Sequence, residues 1–220
     1  MIIVAIDVTS FERASEIIDG LDSKKCMVKI GSVAFNTIGH KIIRFASEKG
    51  FKIFLDLKFH DIPNTVKKSI QGLTSLPINL LTIHTSGGKD MMMAAMEAVS
   101  GTQIKVFGVT ALTSLNNDET KYIFQRTPSE HVNAMLDLAE EAGIDGVVCS
   151  PHELELVSNR EALLSITPGI RFQESDDDQK RVMTPKEAIE LGADYLVIGR
   201  PITASKDIKK SLNEIYQSLI

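Results

Sequence analysis

Eight short apolar runs, most of them carrying β-branched residues, constrain this chain more than any other feature. They occupy residues 2–7 ("IIVAID"), 26–31 ("CMVKIG"), 52–58 ("KIFLDLK"), 80–85 ("LLTIHT"), 105–112 ("KVFGVTAL"), 146–150 ("GVVCS"), 163–169 ("LLSITPG") and 195–200 ("YLVIGR"). Each is nearly continuous in apolar character, the pattern of strands buried on both faces as parallel sheets require. Helical patterns lie between them. The first opens after Ser10, a good N-cap residue, and the second runs through "AFNTIGHKIIRFASEKG" to Gly50, a natural C′ residue. The third follows Pro63, which suits a first helical turn. Met91, Met92, Met93 and Met96 sit at helical spacing and read as helix core rather than as a ligand set.

Eight strands alternating with eight helices in 220 residues predict an α/β fold, a (β/α)8 TIM barrel in which residues 1–220 form one domain. The competitor is a doubly wound open sheet. That fold often has a glycine-rich first turn, and the first turn here is "DVTS". No Pro/Gly/Ser linker or low-complexity tract divides the chain. The polar stretch 171–181, "RFQESDDDQKR", is the one long non-periodic insertion; it reads either as a solvated loop or as an active-site lid.

Charge narrows the function classes. A net charge of −5 makes the chain a poor partner for nucleic acid or anionic membrane. A bound phosphate would need a local cationic pocket. No apolar stretch approaches the ~20 residues of a membrane span, and no leader is visible ahead of Asp7. Cys26 and Cys149 lie inside apolar runs and form neither CxxC nor a zinc spacing, which predicts buried thiols in a reducing cytoplasm.

The third run ends in charge. By period two, Phe51, Ile53, Leu55 and Leu57 share the face turned to the helices, while Phe54, Asp56 and Lys58 point into the barrel. Asp56 and Lys58 fall at the C-terminal end, where barrel active sites sit. Asp7 ends the first strand and Lys29 stands near the end of the second. Read structurally, the four are salt bridges closing the mouth. Buried ion pairs are weak stabilisers, however, so four charges at the active end favour function. Asp61 and Pro63 follow just beyond the strand.

At the other end of the chain, "TPGI" (167–170) and "IGRPI" (198–202) form the turns after strands seven and eight, the usual phosphate position in such barrels. Glycines there admit backbone N–H groups to an anion, and Arg200 can make paired hydrogen bonds to phosphate. His40, His60, His84, His131 and His152 show no metal spacing, and there is no GxSxG elbow and no P-loop.

These residues resemble the orotidine 5'-phosphate decarboxylase family in its bacterial form. The signature is "DLKFHDIPNT" (56–65). "AIDV" (5–8), "VKIG" (28–31), "ALTS" (111–114), "TPGIR" (167–171), "DDQKRVMTP" (177–185) and "IGRPIT" (198–203) support it, so the likeness covers nearly the whole chain. The stretch between "TPGIR" and "DDQ" is shorter than expected for bacterial members and rich in Asp. The resemblance implies a cofactor-free, metal-free decarboxylation of orotidylate to UMP and carbon dioxide, the last step of UMP synthesis, in a cytoplasmic homodimer with shared active sites. It implies that Lys58 protonates the ring carbon that loses the carboxylate and that Asp56 flanks that carboxylate. It places Lys29 and Asp7 at the ribose hydroxyls, and Thr113 at the pyrimidine. Arg171, Gln179, Gly199 and Arg200 would surround the phosphate. Asp61, with Ile62 and Thr65, would reach the partner's site; the chain bends outward there, which agrees. Two rivals remain. Magnesium-dependent keto-sugar-phosphate decarboxylases and hexulose-phosphate synthases share Asp-x-Lys-x-x-Asp, but carry an acid where this chain has Lys29. A non-catalytic nucleotide-binding barrel would be expected to lose Lys58.

Overall fold

All eight apolar runs form strands. In the computed structural model, which describes residues 1–170 and 183–219, these are β1 (Ile2–Ala5), β2 (Cys26–Gly31), β3 (Ile53–Phe59), β4 (Leu80–His84), β5 (Lys105–Val109), β6 (Gly146–Val148), β7 (Leu164–Thr167) and β8 (Tyr195–Ile198). They pair in parallel, each with its sequence neighbours, and β1 meets β8 to close a barrel. Helices follow the strands as expected: α1 (Phe11–Asp19), α2 (Ser32–Ile38), α3 (His40–Glu48), α4 (Pro63–Gln71), α5 (Lys89–Val99), α6 (Asn117–Phe124), α7 (Pro128–Ala142), α8 (Leu154–Ser158), α9 (Pro185–Glu190), α10 (Arg200–Thr203) and α11 (Ile208–Gln217).

The period-two alternation sorts side chains into two cores. Ile3, Ala5, Met27, Phe54, Phe107 and Ile166 fill the barrel interior. Ile2, Val4, Ile53 and Leu55, their immediate neighbours, join the larger layer between strands and helices. Phe51 also lies in that layer, and Leu57 packs against it. Met91 and Met92 are fully buried there, whereas Met93 is half exposed and departs from the expected core role. Cys26 and Cys149 are free and buried.

Local signals hold where chemistry set them. The Ser10 hydroxyl accepts the Arg13 N–H at the start of α1, Pro63 opens α4, and Gly50 follows α3 with φ 84°. The helix count differs from eight. The second helical pattern breaks at Gly39, whose φ of 74° separates α2 from α3. A short helix after strand five, α6, was not expected. It is held by a capping box, with Asn116 Oδ1 accepting the Glu119 N–H and Glu119 Oε2 accepting the Asn116 N–H.

The end of the barrel away from the strand C-termini is fastened by side-chain acceptors. Asn79, just before β4, accepts the Ile53 N–H of β3 at 2.8 Å. Asp145, just before β6, accepts the Val106 N–H of β5 at 2.8 Å. Asp194, just before β8, accepts the Ser165 N–H of β7 at 2.8 Å. Each pin thus serves the strand preceding its own.

Candidate active site

The C-terminal end of β3 departs from regular pairing. Leu55 is in register with Leu81 of β4, but Phe59 is already in register with Ile83, so β3 carries extra residues there. Lys58 lies in this irregularity with φ 51°, in the left-handed region that a residue with a long side chain seldom adopts.

The inward residues at this level form a chain of alternating charge. The Lys58 ammonium donates to both oxygens of Asp56, each at 2.8 Å. Asp56 Oδ2 lies 3.3 Å from Lys29 Nζ, and Lys29 Nζ donates to Asp7 Oδ1 at 3.2 Å. Register explains the convergence: Lys29 is paired with Ala5 on one side and Phe54 on the other, both inward-facing. Asp7 stands two residues beyond β1. The sequence pattern had it inside that strand. Gly31 makes room at this level, since a Cβ there would stand 3.0 Å from Lys29 Nζ and 3.2 Å from Asp7 Oδ1.

Asp56 is 7% exposed, so its charge is held by its partners. Burial pushes its carboxyl up. The ammoniums of Lys29 and Lys58, with hydrogen bonds from Lys58 and Thr82, outweigh burial and hold the group below its usual range. Lys29 answers in the opposite sense: burial lowers it, but Asp56 and Asp7 keep it above the ordinary lysine value.

Above these charges opens a cavity of about 500 Å³. Asp7, Lys29, Asp56 and Lys58 line one side, and Gly169, Gly199 and Arg200 another. Leu112 and Thr113 come from the β5 turn, while Phe54, Val109 and Ile166 supply an apolar floor. Gly199 caps α10, and Arg200 and Pro201 begin it. The arrangement offers cations at two separated points of one partly apolar cavity, suited to an elongated anion with a flat apolar middle.

Seven of the expected residues therefore meet in one cavity: Asp7, Lys29, Asp56, Lys58, Thr113, Gly199 and Arg200. Asp61, Ile62 and Thr65 do not line it. All three are exposed, Asp61 and Ile62 on the turn into α4 and Thr65 in its first helical turn, with Ile62 67% exposed, and Asp61 Oδ1 accepts the N–H of Ile62 at 2.7 Å. Arg171 and Gln179, with the whole of the anticipated 171–181 lid, lie outside the described residues.

Sequence reasoning missed Thr82. Its hydroxyl accepts the Lys58 backbone N–H at 2.9 Å and donates to Asp56 Oδ1 at 2.9 Å. A signal existed: Leu80 faces inward, so Thr82 and His84 had to follow by period two. The His84 ring lies 5.1 Å from that of His60. Burial first, then the charges of His60 and Lys58, hold His84 below its usual range against the upward pull of Asp56. Among the described residues, no cluster of three or more His, Cys, Asp or Glu is placed to hold a metal ion, and no helix is long and apolar enough to cross a membrane.

Known proteins resemble this chain in sequence and in overall fold. The sequence model of the Orotidine 5'-phosphate decarboxylase / HUMPS family matches residues 1–215. The Orotidine 5'-phosphate decarboxylase of Ehrlichia canis (strain Jake) is 44% identical over 221 residues, covering 99% of this chain and 97% of the relative. That of Saccharophagus degradans (strain 2-40) is 42% identical, covering 97% and 92%. The crystal structure of Orotidine 5'-phosphate decarboxylase from Lactobacillus acidophilus superimposes with a TM-score of 0.87 at 34% identity, covering 99% of this chain and 98% of that one.

Proposed function

This chain belongs to the Orotidine 5'-phosphate decarboxylase / HUMPS family, and on that premise we propose that it decarboxylates orotidine 5'-phosphate to UMP and carbon dioxide, the last step of UMP synthesis. The observation that carries the reading is the unbroken chain Asp7–Lys29–Asp56–Lys58 along one side of a cavity that Gly199 and Arg200 close on the other.

Loss of carbon dioxide leaves a ring carbanion with no conjugated electron sink. An ammonium beside that carbon both stabilises the charge and supplies the proton, and this is the role of Lys58. Asp56, fixed in its ionised form, holds the Lys58 ammonium by both oxygens and flanks the substrate carboxylate; the repulsion there ranks below carbanion stabilisation. Lys29 and Asp7 take the ribose hydroxyls and Thr113 the pyrimidine. Gly199 and Arg200, with Arg171 and Gln179, take the phosphate. Phosphate binding far from the breaking bond still orients the reacting end.

Residues 1–220 act in this reading as one catalytic domain, without cofactor, in the cytoplasm and as a homodimer with shared sites. The exposed position of Asp61, Ile62 and Thr65, away from their own cavity, supports their reaching a second copy.

The direct test is loss of orotidylate absorbance on mixing with purified protein; an unchanged spectrum overturns the reading. The magnesium-dependent rival is addressed by prolonged chelation. Lys29 places a cation between Asp7 and Asp56, at the position where that rival carries an acid. Activity is therefore expected to survive chelation, and an enzyme revived only by added magnesium favours the keto-sugar reaction.

A further inference from the structure

We infer that Thr82 is a positioning residue for the decarboxylation, its one hydroxyl fixing both the backbone turn and the ammonium of Lys58. The inference rests on the reading of function given above. It comes from a closed ring of hydrogen bonds. The Lys58 N–H donates to Thr82 Oγ1 at 2.9 Å, Thr82 Oγ1 donates to Asp56 Oδ1 at 2.9 Å, and Asp56 Oδ1 accepts the Lys58 ammonium at 2.8 Å. The lysine is thereby held at its backbone amide and at its ammonium by two linked groups, the Thr82 hydroxyl and the Asp56 carboxylate.

The chemistry needed at position 82 is narrow. The register of β3 and β4 jumps between Leu55 and Phe59, and within that jump the Lys58 N–H is met by the Thr82 side chain. An acceptor is required there, because an unmet buried N–H is costly. The same atom must also donate, because the carboxylate of Asp56 only accepts. A hydroxyl does both through one atom, and an apolar side chain does neither. Thr82 is fully buried, so water does not compete for either bond. By receiving the amide, the hydroxyl holds Lys58 at φ 51°, and this conformation aims the ammonium at Asp56 and into the cavity. By donating to Oδ1, it fixes the carboxylate plane, so that Oδ2 faces Lys29 while both oxygens face Lys58.

Thr82 stands behind Asp56 and Lys58 and is not itself among the residues that line the cavity, so its loss should alter the chemical step more than ground-state binding. The test compares Thr82→Ser with Thr82→Ala. Both lose the methyl group and so share any packing defect; they differ in the hydroxyl. Thr82→Ser is expected to turn over about ten- to a hundred-fold faster than Thr82→Ala, the range set by losing a hydrogen bond to a charged group. KM for orotidylate and the affinity for UMP should differ little between the two. Equal kcat values for Ser and Ala overturn the inference, as does a difference confined to KM. If Thr82→Ala does not fold, Thr82→Ser must keep the wild-type KM and show a kcat above that of Thr82→Val, an isostere that preserves volume but has no hydroxyl; equality again overturns it. Wild-type protein is assayed alongside: its failure to consume orotidylate rejects the proposed reaction, whereas equal Ser and apolar variants beside an active wild type reject only the role of Thr82.

Discussion

Both carboxylate oxygens of Asp56 stand 2.8 Å from the Lys58 ammonium. The acid is 7% exposed, so the pair works in a medium where an ammonium is a far stronger electrostatic agent than in water. It follows that Lys58→Ala removes turnover while leaving nucleotide binding. The expected fall in kcat is at least about 10²–10⁴-fold, the share of a positioned acid. UMP affinity, measured by calorimetry, should stay close to wild type because the phosphate and ribose groups are proposed to bind elsewhere. Turnover near the wild-type rate would remove Lys58 from the mechanism.

Arg200 opens α10 at the opposite side of the cavity. Arg200→Ala is expected to weaken UMP binding by about 1.5–3 kcal/mol, the value of a hydrogen bond to a charged group. Uridine, which lacks the phosphate, provides the control. An equal loss of affinity for uridine and UMP would show that Arg200 acts on something other than phosphate.

Stability should depend on pH in a way set by Asp56 and Lys29. The folded Asp56 carboxyl lies below its unfolded value of about 3.9. Its contribution is therefore present above that pH and is lost as pH falls through the lowered folded value. Lys29 lies above its unfolded value of about 10.4; its contribution is present below that pH and lost as pH rises through the raised folded value. Urea midpoints of wild type and Asp56→Asn should then differ by a constant amount between roughly pH 5 and 9, and converge only in stronger acid. Convergence already between pH 5 and 8 would mean that Asp56 is not held ionised by its neighbours.

Asp61 provides the test of a shared site. It is exposed beyond the end of β3 and outside its own cavity. Lys58→Ala and Asp61→Ala proteins, each expected to be inactive alone, are dissociated and re-paired. In a mixed dimer one site receives both defects and the other receives both native residues. With random pairing, activity should return to about a quarter of wild type per site. Verified heterodimers that stay inactive would assign Asp61 to its own barrel.

The strands were legible because burial on both faces leaves a continuous apolar run, and such runs have few other uses in a chain of this length. Their C-terminal limits were less so. The fifth and seventh runs continue to 112 and 169, but β5 ends at Val109 and β7 at Thr167. The last apolar residues of each belong to turns at the cavity, where Leu112 and Gly169 face the site. α6 escaped notice because its outer face carries apolar residues, Tyr122 being 84% exposed, which blurs an amphipathic pattern; the Asn116 and Glu119 capping pair was the better signal. The four charges of the site announced themselves by standing at strand ends. Thr82 did not, since an uncharged hydroxyl within an apolar run looks like any β-branched strand residue, and its meaning depends on the irregular pairing of β3 with β4.

The pins at Asn79, Asp145 and Asp194 bear on the order in which the chain assembles. Each joins two consecutive strands of one β–helix–β unit, across sequence separations of 26, 39 and 29 residues. Loop-closure entropy rises slowly over such distances, so the three units can latch independently, while the seam between β1 and β8 must wait for almost the entire chain. Pulsed hydrogen exchange during refolding should protect the amides of Ile53, Val106 and Ser165 before that of Leu196, which bonds across the seam to Met1; simultaneous protection would count against stepwise latching. The cavity draws Asp7, Lys29, Asp56 and Lys58 from β1, β2 and β3 or just beyond them, and Gly169, Gly199 and Arg200 from the segments that follow β7 and β8, so it straddles the last seam to close. Partly assembled chains would then carry native-like strands yet be unable to grip a nucleotide, and a nucleotide would act only after closure, by slowing the barrel's reopening.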